Sequence, residues 1–264
     1  MRSRITRIVL CLLCVVLLAT QSIACASPRF GDLSLPDFGY ISPYDWENLS
    51  SENGRYTYWQ DNAQVSRTGI DVSEHQGSID WAAVADDGID FVIIRIGNRG
   101  YTEGQISVDE QFEANLAGAR SHGILVGVYF FSQAIDEEEA LAEADFVLEQ
   151  LDGIALDYPV VYDFEPVSDA AGRANTLSST QRTQNAQVFC ERIEAGGYTP
   201  MLYGNKRDIG RYDLAALEGY DVWYAEYGVP SPKGRFDFTI WQYANNGTVA
   251  GISKPVDMNI HFIA

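Results

Sequence analysis

From Thr68 onward, short apolar runs alternate with stretches in which apolar residues recur every three or four positions. The runs Gly69–Val72, Phe91–Ile96, Leu125–Phe131, Val160–Phe164, Pro200–Tyr203, Val222–Ala225, Thr239–Tyr243 and Val256–Ile260 have strand length and strand composition. Helical patterns lie between the early ones. Ile79–Ala85 follows a Ser78 cap, and Val108–Ser121 stops before Gly123. Asp136–Leu151 opens on four consecutive acids and ends at Gly153, while Ser178–Ala195 ends at Gly196-Gly197. Acids in a first turn oppose the positive end of the helix dipole, and glycine accepts the left-handed backbone after a last turn. Strand–helix alternation predicts right-handed βαβ units, and eight strands predict closure into a barrel. The connections 228–238 and 244–255 carry Pro, Gly and Asn-Gly without helical periodicity. A parallel neighbour needs a long crossover, so the last strands are expected to be partly antiparallel. The expected fold is therefore α/β, an irregular TIM-like barrel of about five β/α units followed by three strands. A flat doubly wound sheet is the alternative, disfavoured because no Gly-rich phosphate loop follows the first strand.

Upstream of residue 68 the texture differs. Arg2, Arg4 and Arg7 precede the apolar run Ile8–Ala19, and Ala24-Cys25-Ala26 has the small-x-small pattern of a cleavage site. Residues 1–26 are thus read as a signal peptide removed before Ser27, with lipidation at Cys25 a distant alternative. The run is short for a spanning helix, so no stable membrane insertion is expected once it is cleaved. Residues 27–67 mix Pro, Gly and Ser with Phe38, Tyr40, Tyr44, Trp46, Tyr56, Tyr58 and Trp59 and show no sustained periodicity. They are expected to form an N-terminal extension, part tether and part packed on the main domain, 68–264, through these rings. Cys190 is the one cysteine beyond residue 26, which excludes an internal disulfide and multi-cysteine metal sites, and a buried core thiol is expected.

The 264-residue chain has a formal net charge of −19, and removal of the three leader arginines takes it to −22. That excludes the clustered cations that bind phosphate backbones, so no nucleic-acid partner is expected. It does not identify a substrate. Candidate chemistry sits in Pro159-Val160-Val161-Tyr162-Asp163-Phe164-Glu165-Pro166, an apolar strand ending in two acids. Residues i and i+2 on a strand share a face at a Cα separation of roughly 6–7 Å. Two such carboxyls repel when both are charged, so one keeps its proton to higher pH and can serve as a general acid. Asp71 in the first strand and Asp257 in the last become neighbours if the barrel closes, opposite Asp163 and Glu165. Tyr129, Tyr203, Trp223, Tyr227, Trp241 and Tyr243 fall at strand ends, where rings can stack on sugar faces; core packing is the competing reading. No Asp-rich loop has Ca²⁺-site spacing, so neither a metal nor a cofactor is expected.

These residues resemble glycoside hydrolase family 25, the Chalaropsis-type lysozymes or N-acetylmuramidases. The matching pieces are Gly69-Ile70-Asp71-Val72-Ser73, Gln76-Gly77, Ile79-Asp80-Trp81, Phe91-Val92-Ile93-Ile94-Arg95 and Gly127-Val128-Tyr129-Phe130. They continue through Asp163-Phe164-Glu165, Leu202-Tyr203, Trp223-Tyr224-Ala225-Glu226-Tyr227, Trp241-Gln242-Tyr243 and Val256-Asp257-Met258-Asn259. The resemblance implies hydrolysis of the β-1,4 bond between N-acetylmuramic acid and N-acetylglucosamine in peptidoglycan, outside the cell. By the same resemblance Glu165 is the proton donor and Asp163 supports the developing positive charge, through the substrate's 2-acetamido group or directly. Asp71 and Asp257 would orient water, substrate or the other acids, and Gln242 and Asn259 join the rings as substrate-binding candidates. A monomer acting on glycan strands is expected, without appended wall-binding repeats. Another N-acetylated glycan such as chitin, or a non-catalytic wall-binding role, are the competing functions.

Overall fold

The structure is a computed structural model that describes residues 40–263; the proposed signal peptide and residues 27–39 lie outside the described residues. Eight strands close a barrel in the order β4 (Ser66–Val72), β5 (Phe91–Arg99), β7 (Leu125–Ser132), β8 (Val160–Phe164), β9 (Pro200–Asn205), β10 (Asp221–Ala225), β11 (Ile240–Gly247) and β12 (Val256–Phe262). Pairing of β4 with both β5 and β12 completes the ring. All eight apolar runs are therefore strands of one barrel.

Helices α1 (Trp81–Asp86), α2 (Phe112–Ser121), α3 (Glu137–Leu151), α4 (Ser179–Ala195) and α5 (Lys206–Ile209) follow the first five barrel strands. The cap residues explain their starts. Asp136 accepts from the Glu139 N–H and Ser178 from the Gln181 N–H, as the acid run and the serine predicted. Two starts differ from expectation. Asp80, not Ser78, caps α1, and Val108 belongs to a short strand, β6 (Ile106–Val108), that folds back antiparallel on the end of β5. The one-turn α5 was not expected, being too short to show a period.

Only part of the barrel's closing segment is antiparallel. Strand β12 runs against both β11 and β4, but β10 and β11 are parallel. The closing segment is thus partly antiparallel, as expected, and the irregular 226–239 connection makes the parallel crossover between β10 and β11 without a helix.

Residues 40–64 hold more structure than their lack of periodicity indicated. Strands β1 (Leu49–Glu52), β2 (Arg55–Gln60) and β3 (Ala63–Gln64) form a separate antiparallel sheet. Asn53-Gly54, at φ +51° and +78°, makes the two-residue turn between β1 and β2. Such a turn needs positive φ at both positions, and Asn-Gly is its usual pair. Most of the described aromatics dock as expected, but Trp59 is 41% exposed, and Phe38 lies outside the described residues. Tyr58 is fully buried, Tyr44 packs 4.3 Å from Phe262, and Trp46 stacks on Phe238. Hydroxyls of Tyr40 and Tyr44 donate to the Phe236 and Phe238 carbonyls.

Alternation along the strands sorts side chains into two cores. Outward residues such as Tyr162, Phe164, Leu202, Tyr224 and Trp241 pack beneath the helices and the N-terminal sheet. Inward residues Phe91, Ile93, Val161, Met201, Tyr203, Trp223 and Ile240 fill the barrel. Phe91 stacks on Tyr158 at 4.4 Å to plug its floor. A Cβ on Gly69 would fall 2.3 Å from the Phe91 ring, so glycine at that position lets the plug form. Cys190 is buried in the outer core and burial pushes its thiol up, fitting the inert role expected.

Candidate active site

The inward acids and amides lie at the end where the parallel strands finish, opposite the Phe91–Tyr158 floor, which also carries His261. Asp71 on β4, Arg95 on β5, Tyr129 on β7, Asp163 on β8, Gln242 on β11 and Asp257 at the start of β12 follow the inward parity of their strands. Glu165 lies just past the end of β8 on the same parity, and its carbonyl accepts 2.8 Å from Gln133 Nε2.

Asp71 and Asp257 are register partners across the β4–β12 pair. Asp71 is buried, and its Oδ2 accepts from Gln242 Nε2 and Asn259 Nδ2, both at 2.8 Å. Burial, then the neighbouring Asp257, raise its pKa well above the carboxylate range against these two donors. Asp257 is also raised by burial, but contact with Asp71 lowers it. The two carboxyls are thus raised as a pair, and a proton is kept between them to higher pH than an isolated carboxyl would hold it.

A directed network fixes Asp71. Tyr203 and Tyr227 hydroxyls donate to Gln242 Oε1 at 2.7 and 2.5 Å, so the amide must turn its Nε2 toward Asp71. Trp223 Nε1 donates 2.7 Å to Asn259 Oδ1 and orients that amide in the same way. Tyr203 and Trp223 also pack together, with centroids 4.6 Å apart.

Asp163 is buried, and its Oδ1 has no hydrogen-bond partner among the described residues. Burial, followed by the charges of Glu165, Asp71 and Asp208, holds its proton to high pH, while Arg95 works the other way. Glu165 is partly exposed, with a pKa pushed up to about 7 by burial and then by Asp208 and Asp257. A carboxyl poised there is a competent proton donor near neutrality.

The structure brings Asp71, Asp163, Glu165, Asp257, Tyr129, Tyr203, Trp223, Tyr227, Gln242 and Asn259 to one mouth. Trp241 is not brought there. It lies on the outer face of β11, fully buried against Tyr56, with its Nε1 donating to the Glu226 carbonyl. Of the other proposed binding residues, Trp223, Gln242 and Asn259 are almost wholly buried, whereas Tyr227 is 42% exposed. Sequence reasoning missed Asp208 and did not assign a role to Arg95. Asp208, on α5, is buried with its Oδ2 2.5 Å from Asn205 Nδ2. Asn205 caps that turn through its side chain, and Asn-x-x-Asp after the fifth strand was the available signal. Arg95 is held by Asp109 at 2.7 Å and Glu74 at 2.8 Å. Among the described residues no group of three or more His, Cys, Asp or Glu side chains is arranged to hold a metal ion.

Comparison with known proteins agrees with this geometry. The sequence is 32% identical over 203 residues to lysozyme M1 of Streptomyces globisporus, covering 72% of this chain and 66% of that protein. It is 27% identical to the autolytic lysozyme of Clostridium acetobutylicum, covering 72% and 54%. The chain thus spans about half to just under two thirds of the length of these two relatives. Among solved structures, the spore cortex lytic enzyme SleM of Clostridium perfringens superposes with a TM-score of 0.66 at 26% identity, over 78% of this chain and 70% of that one. The bacterial lysozyme of Streptomyces coelicolor gives 0.61 at 29% identity, over 73% and 90%. Residues 70–252 match the family model described as "Glycosyl hydrolases family 25". The chain belongs to glycosyl hydrolases family 25.

Proposed function

We propose that this chain is a secreted, monomeric muramidase that hydrolyses the β-1,4 bond between N-acetylmuramic acid and N-acetylglucosamine in peptidoglycan. The observation that carries the reading is the inward Asp163–Glu165 pair, in which burial and neighbouring acids push the Glu165 pKa up to about 7. Glu165 gives its proton to the leaving glycosidic oxygen as the bond breaks. Asp163, buried with one oxygen unpartnered, supports the positive charge that develops at the anomeric side. A 2-acetamido N–H donating to that oxygen supplies the missing partner and favours the Asp163 anion. The amide oxygen of the same group is then aligned to meet the anomeric carbon. Water completes the reaction, passing its proton back to Glu165. Asp71 and Asp257 hold a proton opposite this pair and keep the mouth from accumulating four negative charges.

Secretion is read from residues 1–26, and among the described residues no helix is long and apolar enough to cross a membrane. Treating purified cell-wall sacculi with the mature chain and with Glu165→Gln tests the reading. Soluble glycan fragments are expected from the first and not the second; equal release by both contradicts the assignment.

A further inference from the structure

A second concavity lies beside the mouth. It has a volume of about 600 Å³ and is walled by the β1–β2 hairpin, through Ser51 and Tyr56, and by residues following β10 and on β11, including Asn245 and Asn246. Tyr227 belongs to both places: its hydroxyl holds Gln242 in the mouth and its ring lines the groove. The wall is built, not incidental. Tyr56 donates its hydroxyl 3.2 Å to the Val229 carbonyl and packs 4.9 Å from both Trp241 and Tyr243. Ser51 and Tyr56 lie before the family match at 70–252.

We propose that this groove is an additional saccharide subsite, holding an N-acetylhexosamine of the glycan strand beyond the residues at the cleaved bond. The proposal rests on the muramidase reading for its ligand. Three features select a sugar. Among the described residues no Asp, Glu, Lys or Arg lines the groove, so a stem peptide, with its carboxylates and amines, finds no counter-charge there. Tyr56 and Tyr227 offer rings for the apolar faces of a pyranose, and the exposed Asn245 and Asn246 offer amides for hydroxyl and acetamido groups. Continuity through Tyr227 lets one strand occupy mouth and groove together. The N-terminal hairpin therefore adds length selectivity to the cleft.

The test uses the full chain carrying Glu165→Gln, with and without Ser51→Trp, and peptide-free glycan oligomers of increasing length. Ser51 is exposed, so a larger side chain fills the groove without entering the core. Calorimetric titration is expected to show affinity rising roughly tenfold at the length that first reaches the groove, about 1.4 kcal/mol. The rise should vanish with Ser51→Trp, while the shortest oligomer binds both proteins equally. Asn246→Trp, from the opposite wall, should do the same if Ser51→Trp fails to fold. An unchanged length dependence in both blocked variants, equal weakening of the shortest oligomer, or no length dependence at all overturns the subsite. Hydrolysis of sacculi by the native chain is scored separately, so the muramidase reading can fail while oligomer binding still decides the groove.

Discussion

Asp71 and Asp257 stand side by side across the β4–β12 antiparallel pair, where the last strand closes the barrel on the first. Their shared proton, and the five donors in the network behind Asp71, make this side of the mouth rigid before any substrate arrives. Gln242 is the link with most dependants. Gln242→Ala removes one donor from Asp71 and leaves the Tyr203 and Tyr227 hydroxyls without their acceptor. A loss of about 1–3 kcal/mol in unfolding free energy is expected, together with reduced kcat, measured by denaturant titration and turnover on soluble glycan.

Glu165→Gln keeps the size of the side chain and removes its proton. A fall in kcat of roughly 10²–10⁴ is expected, the usual worth of a general acid, with the fold unchanged by circular dichroism.

The same substitution has a pH-dependent effect on stability. Glu165 has a folded-state pKa of about 7, above the 4.5 of a free glutamate. Between these values the folded state binds more protons than the unfolded one, so this group's contribution falls as pH rises through that window. Glu165→Gln should therefore raise Tm more at pH 8 than at pH 4, as read by thermal scans at both pH values.

Asp208 supplies one of the charges that raise the Glu165 pKa. Replacing it with asparagine removes that repulsion, so Glu165 ionises at lower pH. The alkaline limb of the kcat profile in Asp208→Asn should move toward acid, and an unmoved limb would show that Asp208 does not set it.

Much of this was legible from residue patterns. All eight barrel strands follow from apolar runs bounded by Gly, Pro and polar residues, and the Asp163–Glu165 pair follows from strand parity. Closure placed Asp71 beside Asp257 for the same reason: first and last strands must meet. What escaped was set by contacts distant in sequence. Trp241 and Gln242 are adjacent, and only the direction of β11 decides that Gln242 enters the mouth while Trp241 meets Tyr56. Asp208 lies on a single helical turn too short to show a period. The parallel β10–β11 pair has no crossover helix to announce it. The N-terminal sheet did carry a signal, Asn53-Gly54, hidden among short polar strands whose burial comes from the barrel they cover.

That covering layer predicts its own mutational cost. Tyr58 is fully buried beneath Phe262 and Tyr44, and its hydroxyl accepts from the Asp45 N–H. Tyr58→Ala should cost about 3–5 kcal/mol, as for other large-to-small changes at buried aromatics. A loss below 1 kcal/mol in denaturant titration would show that residues 40–64 are not integral to the barrel's stability.

Mass spectrometry of the fragments released from defined peptidoglycan tests the bond assignment most directly. A muramidase leaves N-acetylmuramic acid at every new reducing end, and Glu165→Gln leaves none. New reducing ends on N-acetylglucosamine, or fragments released equally by Glu165→Gln, would contradict it.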